Sequence, residues 1–199
     1  RGRLIFPIRD PRGRVIGFGG RVLDDGLPKY LNSPQTIVFD KSSVLYGIDL
    51  ARDAIHDQGL AIIVEGYMDV LMAHQHGIRN VVASLGAALT AEHLSVLKRL
   101  TKRIALALDA DAAGDRGTLR GLETAQQVMD RHVIPVPTWK GLVQYETQLD
   151  AELRIITLPP GKDPDEVIRE DRAAWEKLVQ EALPVVAYYF RAMTTDLDL

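Results

Sequence analysis

Acidic side chains follow three predicted strands in the part of the chain after residue 58. They are Glu65, Asp109, Asp111, Asp163 and Asp165. Open parallel sheets bind their ligands at the carboxyl ends of the strands, so residues far apart in the sequence can meet at one edge. Clustered carboxylates repel one another, and Mg²⁺, which prefers oxygen ligands, relieves that repulsion. We therefore expect a magnesium site of the kind that serves phosphoryl transfer.

Each of these acids also has an ordinary structural interpretation. A glutamate after a strand is most often a surface residue, and an Asp-x-Asp pair is a weak motif by itself. Asp163 is well suited to cap a helix that has Pro164 at its first position and Glu166 in its first turn. The chain has no cysteine, so oxygen or imidazole ligands would hold any metal, and the five histidines are predicted to be structural or exposed. The metal site is favoured because the acids occur together.

The elements that would position these acids alternate between strand and helix. Four short apolar runs predict strands, at residues 60–64, 79–83, 103–108 and 154–158. Four longer segments predict helices, at residues 45–58, 67–76, 90–102 and 112–129. This alternation predicts an α/β fold with a parallel sheet and helices on both faces.

The chain is predicted to contain three parts. Residues 1–58 form a smaller basic lobe that begins with a β-hairpin, formed by residues 4–8 and 15–23, and continues through an ordered loop at 30–34. Residues 59–172 form the metal-binding domain, with an insertion near 133–150, and residues 173–199 begin a helical subdomain. Because the chain starts at an arginine, we expect a piece of a longer protein with a truncated first lobe.

Composition indicates a soluble globular protein. Apolar residues make up 46% and charged residues 26%, which argues against disordered and fibrous classes. No apolar run approaches the roughly 18 residues of a membrane helix, and the N-terminus lacks a signal-peptide pattern. We expect neither export nor a membrane partner.

Charge is distributed unevenly along the chain. Residues 1–41 hold eight Lys and Arg against four Asp and Glu, a net +4, so the overall −3 leaves −7 for the remainder. This favours phosphate binding by the first lobe and cation binding by the second part. Candidate contacts to phosphate, sugar or base come from Arg21, Lys29, Tyr30, Asn32 and Lys41. Surface lysines and a packed tyrosine are the ordinary alternative.

Two segments of the second part resemble a known family signature. Residues 64–70 read VEGYMDV and residues 108–114 read LDADAAG. Together they resemble the paired motif of Toprim domains, which primases, topoisomerases and some nucleases share. The YMD continuation and residues 83–90 resemble the bacterial primase branch in particular. Ala87 and Ala110 depart from the threonine and glycine of that pattern, and neither is a proposed ligand.

Segments of the basic lobe resemble successive motifs of bacterial, DnaG-type primases, in family order. They read FPI at 6–8, GFGGR at 17–21, PKYLNSP at 28–34 and LYG at 45–47. The resemblance spans most of the chain except residues 130–153 and the last turns. It implies a catalytic core that makes short RNA primers for DNA replication, joining ribonucleoside triphosphates on a single-stranded DNA template by metal-assisted nucleotidyl transfer.

The resemblance also implies roles for particular residues. Mg²⁺, or Mn²⁺ in its place, would be held by the catalytic acids Glu65, Asp109 and Asp111. Further ligands or supporting acids would be Asp69, Asp163 and Asp165. Nucleotide or template would be bound by Arg21, Lys29, Tyr30, Asn32 and Lys41. A zinc module and a region that binds the replicative helicase would lie outside this chain, and the protein would act in the bacterial cytoplasm at the replication fork.

Two other function classes remain open. A Toprim nuclease or topoisomerase-like enzyme would use the same metals to cleave DNA, although the basic lobe resembles none of those enzymes. A non-catalytic single-strand-binding module would bind DNA equally well without magnesium and would leave the acids without a purpose. Incorporation of ribonucleotides, rather than DNA cleavage, separates the first alternative from a primase.

Overall fold

The chain folds into three sheets and six helices within the residues that the computed structural model describes, which are 2–24, 26–86, 89–108, 131–137, 143–149 and 151–195. The strands are β1 (Arg3–Arg9), β2 (Val15–Val22), β3 (Tyr30–Asn32), β4 (Ala61–Val64), β5 (Val81–Ala83), β6 (Arg103–Leu108), β7 (Arg131–Pro137), β8 (Val143–Leu149), β9 (Glu152–Thr157) and β10 (Leu183–Pro184). The helices are α1 (Ile48–Gln58), α2 (Tyr67–Gln75), α3 (Ala91–Lys98), α4 (Pro164–Glu170), α5 (Arg172–Gln180) and α6 (Val185–Thr195).

A five-stranded sheet forms the centre of the second part, in the order β10-β9-β6-β4-β5. β4, β5, β6 and β9 are parallel, and β10 runs antiparallel to β9. All four residues of β4 are buried, as expected where helices cover both faces of a parallel sheet. The predicted α/β fold is therefore confirmed, and the carboxyl ends of β4, β6 and β9 lie side by side.

The helices divide between the two faces of this sheet. Ile62 of β4 belongs to a buried cluster that includes Val70 of α2 and Trp175 of α5. The neighbouring Ile63 belongs to the second cluster, in which α1, α3 and α6 take part, for example through Leu97. Alternate side chains of one strand thus contact opposite helical layers, which fixes the register of the sheet. None of the helices in the described ranges is both long and apolar enough to cross a membrane.

The predicted N-terminal hairpin is confirmed as an antiparallel pair of β1 and β2. Its turn is closed by Asp10, whose carboxylate accepts hydrogen bonds from the backbone N–H groups of Arg12 and Arg14, both at 3.0 Å. The Arg14 guanidinium also forms an ion pair with Asp10 at 2.6 Å. Polar turn residues therefore place the apolar residues of β1 and β2 opposite one another.

The prediction of a loop at residues 30–34 is wrong for residues 30–32, which form β3. Arg21 of β2 pairs with Tyr30 in an antiparallel ladder that continues to Asn32. A three-residue strand is too short to show an alternating pattern, and it exists because β2 offers an unpaired edge. This pairing places Tyr30 and Asn32 on the same small sheet as Arg21.

Two helices are shorter than predicted, in each case because the chain turns where the helix had been expected to continue. α1 begins at Ile48 rather than at residue 45, because Tyr46 forms a bridge with Ala83 of β5 and Gly47 turns the chain at φ +79°. α3 ends at Lys98 rather than at residue 102, since the chain must turn there to enter β6 at Arg103. The helix predicted at residues 112–129 lies outside the described residues.

The insertion contains a two-stranded antiparallel sheet of β7 and β8. No strand was predicted there, because Pro135 and Pro137 weaken the strand pattern. A two-stranded sheet tolerates proline, since each strand has an edge on which the missing N–H costs no hydrogen bond.

Candidate active site

Glu65 lies at the carboxyl edge of the parallel sheet, directly after β4, and its side chain is exposed. Backbone hydrogen bonds connect residues that follow β5 to the end of β4. The N–H of Ser84 donates to the carbonyl of Val64 at 3.2 Å, and that of Gly86 donates to the carbonyl of Glu65 at 3.4 Å. The other two predicted ligands, Asp109 and Asp111, lie outside the described residues.

Asp69 joins the beginning of α2 to the beginning of α4. Its carboxylate is 9% exposed, and it accepts hydrogen bonds from the N–H of Gly66 at 2.9 Å and from the N–H of Asp165 at 3.4 Å. Burial raises the pKa of Asp69 to about 7, the hydrogen bond from Gly66 lowers it, and the nearby carboxylates of Asp165 and Asp163 raise it. The structure thus brings these three predicted acids together.

Asp163 occupies the N-cap position of α4, as its sequence context predicts. Pro164 is the first helical residue, and the Glu166 side chain accepts a hydrogen bond from the Asp163 N–H at 3.3 Å. Asp163 and Glu166 stand in the arrangement of a capping box, and the side chain of Asp163 is exposed. Its position at the N-terminal end of a helix is therefore compatible with either a capping or a ligand role.

Tyr67 connects the N-terminal sheet to the acidic edge, and the sequence analysis assigned it no such role. Its buried ring stacks on Phe6 at 5.0 Å and meets the edge of Tyr46 at 4.7 Å. Its hydroxyl donates to the side-chain oxygen of Asn32, and burial raises its pKa. A Cβ atom on Gly19 would lie 2.3 Å from the Tyr67 ring, so the glycine allows β2 to approach this closely. Tyr67 is two residues from Glu65, which places Asn32 beside the acidic edge.

The predicted cationic residues lie at the surface of the N-terminal lobe. The guanidinium of Arg21 lies 5.6 Å from the centre of the Tyr30 ring, a cation–π distance. Tyr30 is 38% exposed, so part of its ring is accessible. Lys29 and Lys41 are exposed. Lys41 lies in a turn next to the beginning of α3.

The residues at this edge have the chemistry of a magnesium site. The carboxylates of Asp165 and Asp163 lie close enough to Asp69 to raise its pKa, and Glu65 follows β4. Hard oxygen ligands of this type suit Mg²⁺. Within the described ranges, no three acidic or imidazole groups already stand in a metal-binding arrangement. Two of the three principal predicted ligands lie outside those ranges.

Comparisons with known proteins place both parts of the chain. The family model of the DNA primase catalytic core, N-terminal domain, matches residues 1–52, and the Toprim domain matches residues 59–134. A DNA primase of Clostridium acetobutylicum is 44% identical over 190 residues, covering 94% of this chain and 28% of that protein. The chain therefore spans less than a third of that relative's length.

Solved structures agree with the sequence comparisons. The Escherichia coli primase catalytic core matches with a TM-score of 0.81 and 41% identity, over 100% of this chain and 58% of that one. A DnaG primase catalytic domain bound to single-stranded DNA matches with a TM-score of 0.81 and 40% identity, with the same coverage. Two family models in series, together with these similarities along the whole chain, agree with the motifs in both lobes. The chain therefore belongs to the bacterial DNA primase family, of whose catalytic core it carries the N-terminal domain and the Toprim domain.

Proposed function

We propose that this chain is the catalytic part of a primase that synthesises short RNA primers on single-stranded DNA. The observation that carries the proposal is the contact between Tyr67 and Asn32, which holds the basic sheet against the edge that bears Glu65. Phosphate-binding and cation-binding groups are thereby adjacent, as nucleotidyl transfer requires. The similarity to a primase domain bound to single-stranded DNA supports the choice of template.

The proposed reaction joins ribonucleoside triphosphates. The 3′-hydroxyl of the growing primer attacks the α-phosphorus of the incoming nucleotide, its proton is lost, and pyrophosphate leaves. Bound Mg²⁺, for which Mn²⁺ can substitute, would favour ionisation of the hydroxyl and neutralise charge on the phosphates. Glu65, Asp109 and Asp111 would hold the metal. Asp69, Asp163 and Asp165 would serve as further ligands or would orient the ligands.

The basic lobe would bind nucleotide and template. Arg21, Lys29 and Lys41 would contact phosphate oxygens, because their charge attracts the backbone of any sequence. Asn32 accepts a hydrogen bond from Tyr67 through its amide oxygen, so its amide nitrogen would donate to sugar or base. Tyr30 would stack on a base. A replicative helicase and a zinc module would act through other parts of the protein, at the replication fork in the bacterial cytoplasm.

A direct assay tests this proposal against its alternatives. The protein is incubated with single-stranded DNA, labelled ribonucleoside triphosphates and Mg²⁺. We expect labelled RNA to form only with Mg²⁺ or Mn²⁺ present. Cleaved DNA without ribonucleotide incorporation would identify a nuclease. DNA binding that is indifferent to metal, with no product of either kind, would identify a binding module.

Substitution of Lys29 should reduce the salt dependence of DNA binding. If Lys29 contacts one phosphate, Lys29→Ala should lower the slope of log affinity against log salt by about 0.7. Titrations of a labelled oligonucleotide between about 50 and 200 mM salt measure this slope. Lys177→Ala is the control, because Lys177 lies on α5 and pairs with Glu181 at 3.8 Å. Equal slopes for Lys29→Ala and the parent would remove Lys29 from the binding surface.

Two substitutions of Asp163 separate helix capping from metal binding. Asparagine caps a helix about as well as aspartate but is a poorer ligand for a hard cation, whereas loss of the cap to alanine typically costs about 0.5 to 2 kcal/mol. We expect Asp163→Asn to keep the parent's thermal stability in metal-free buffer and to weaken metal-dependent primer synthesis. If Asp163→Asn keeps the parent's metal dependence while Asp163→Ala only lowers the melting temperature, the residue is a cap alone.

A further inference from the structure

Lys41 lies in a short turn that is stabilised by hydrogen bonds between its neighbouring residues. One carboxylate oxygen of Asp40 accepts hydrogen bonds from the N–H of Ser42 at 2.9 Å and from its hydroxyl at 2.8 Å. The carbonyl of Asp40 accepts a further bond from the N–H of Ser43 at 3.0 Å. These bonds fix the backbone of the turn, while the side chain of Lys41 is exposed.

The same turn is held from outside by the first residues of α3. The hydroxyl of Thr90 donates to the carbonyl of Ser42 at 2.5 Å. Nε2 of His93 lies 2.9 Å from the carbonyl of Lys41, and Nδ1 lies 3.4 Å from the N–H of Thr90. Since Nδ1 accepts from that N–H, Nε2 carries the proton and donates to Lys41. His93 is fully buried, and burial lowers its pKa, which favours this neutral form.

The imidazole of His93 performs two tasks that a glutamate at this position cannot combine. Thr90 is the N-cap of α3 and accepts from the N–H of His93 at 3.1 Å, so His93 is the third residue of a capping box. Glutamate is common at that position because it accepts from the N-cap N–H. A carboxylate would, however, oppose the carbonyl of Lys41 with a second acceptor. A neutral imidazole accepts from Thr90 and donates to Lys41 at the same time.

This turn belongs to the edge that bears the acids. Ser84 and Gly86, which follow β5, donate to the carbonyls of Val64 and Glu65, and the N-cap Thr90 comes four residues after Gly86. Two residues before Lys41, the ring of Phe39 is buried and lies 3.1 Å from the position of a Cβ on Gly17 of β2. The turn that carries Lys41 is thus fixed between the basic sheet and the loop beside Glu65.

We propose that His93 is a positioning residue that presents Lys41 to a phosphate of the template strand. This inference rests on the proposed role of Lys41 in binding nucleic acid. A flexible lysine binds more weakly when its backbone must be ordered at the moment of binding, and the hydrogen bond from His93 removes part of that cost. Loss of the bond should therefore weaken binding through Lys41 and through no other cation.

Double-mutant cycles on the 199-residue chain test this coupling. His93→Met fills the buried space without hydrogen bonds, and Lys41→Met removes the charge. His93→Gln should retain function, since its amide both accepts and donates as imidazole does. His74→Met is the matched control, because Nε2 of His74 also contacts a carbonyl, that of Val81 at 2.9 Å, on the distant helix α2. The readout is the affinity for labelled oligothymidylate at several salt concentrations.

The expected result is a coupled pair. His93→Met should lower the affinity of the parent and leave the affinity of Lys41→Met unchanged. Lys41→Met should lower the salt slope by about 0.7, so its affinity falls about 2.6-fold less over a fourfold rise in salt. The double variant should match Lys41→Met alone. His93→Gln should stay close to the parent, and His74→Met should keep the parent's affinity and salt slope even where it lowers thermal stability.

Three outcomes overturn the inference, and they are distinguishable. If Lys41→Met lowers the slope while His93→Met keeps the parent's affinity, or if the two effects on affinity simply add, Lys41 binds DNA without help from His93. If Lys41→Met itself keeps the parent's slope, the proposed role of Lys41 fails and the inference fails with it.

Should His93→Met not fold, the ¹⁵N resonances of the His93 ring provide the readout in the parent chain. Saturating oligothymidylate should shift them in the parent and not in Lys41→Met, and an unchanged resonance in the parent overturns the inference.

Discussion

Glu65→Gln should reduce metal-dependent primer synthesis at least about 100-fold, the upper end of the loss seen when groups that merely support metal ligands are removed. Glutamine keeps the size of the side chain but loses the charge that a hard cation requires. Because Glu65 is exposed at the end of β4, the fold should be little affected. Primer synthesis is measured over a wide range of Mg²⁺ concentrations, so that weaker metal binding is separated from a lower maximal rate.

A matched control distinguishes a ligand from a general effect of charge. Asp53 is exposed on α1 and pairs with its neighbour Arg52 at 3.3 Å. Asp53→Asn also removes one negative charge, and it should synthesise primers at the parent's rate. A Glu65→Gln protein that retains half of the parent's rate at every Mg²⁺ concentration would show that Glu65 does not bind the metal.

The sequence predicted the parts of the fold that depend on local patterns. The turn at Asp10 indicated a hairpin, and the alternation of apolar runs with helical segments indicated a parallel sheet. The structure confirms both. The strand at Tyr30–Asn32 was missed because it forms only by pairing with β2. Patterns within a few residues indicate which element forms, whereas a neighbour distant in sequence decides whether a short segment becomes a strand.

The contacts of the candidate site were harder to predict for the same reason. Asp69 reaches the N–H of Asp165, 96 residues away, and Tyr67 reaches Asn32, 35 residues away. His93 holds a carbonyl 52 residues before it. The residue types of a metal site could be listed from the sequence, but these tertiary contacts are set by how helices and sheets pack. The structure therefore added contacts of Tyr67, which lies in a motif but had no assigned role, and of His93, which lies in none.

Asp69 should make the metal-free protein less stable as pH rises. Its pKa is about 7 in the folded chain and 3.8 as its ordinary value, so between these pH values the folded state binds a proton that the unfolded state does not. The stabilisation that this proton provides is therefore fully present below pH 3.8. It is lost as the pH rises towards 7, by about 1.4 kcal/mol per pH unit. Above pH 7 this contribution no longer changes. The cause is burial, which penalises the charged carboxylate more than its two backbone hydrogen bonds stabilise it.

The change in unfolding free energy between pH 5 and pH 8, rather than its absolute value, tests this expectation. The parent should lose about 3 kcal/mol from Asp69 over that interval. Asp69→Asn carries no charge at either pH and should lose correspondingly less, whereas Asp53→Asn should follow the parent. Mg²⁺ at pH 8 should restore the parent by about 2.7 kcal/mol at a hundredfold excess over its dissociation constant, because a cation favours the ionised carboxylates. Asp69→Asn should respond less to Mg²⁺. Equal losses for the parent and Asp69→Asn in urea titrations would show that burial does not raise the pKa of Asp69 in the folded chain.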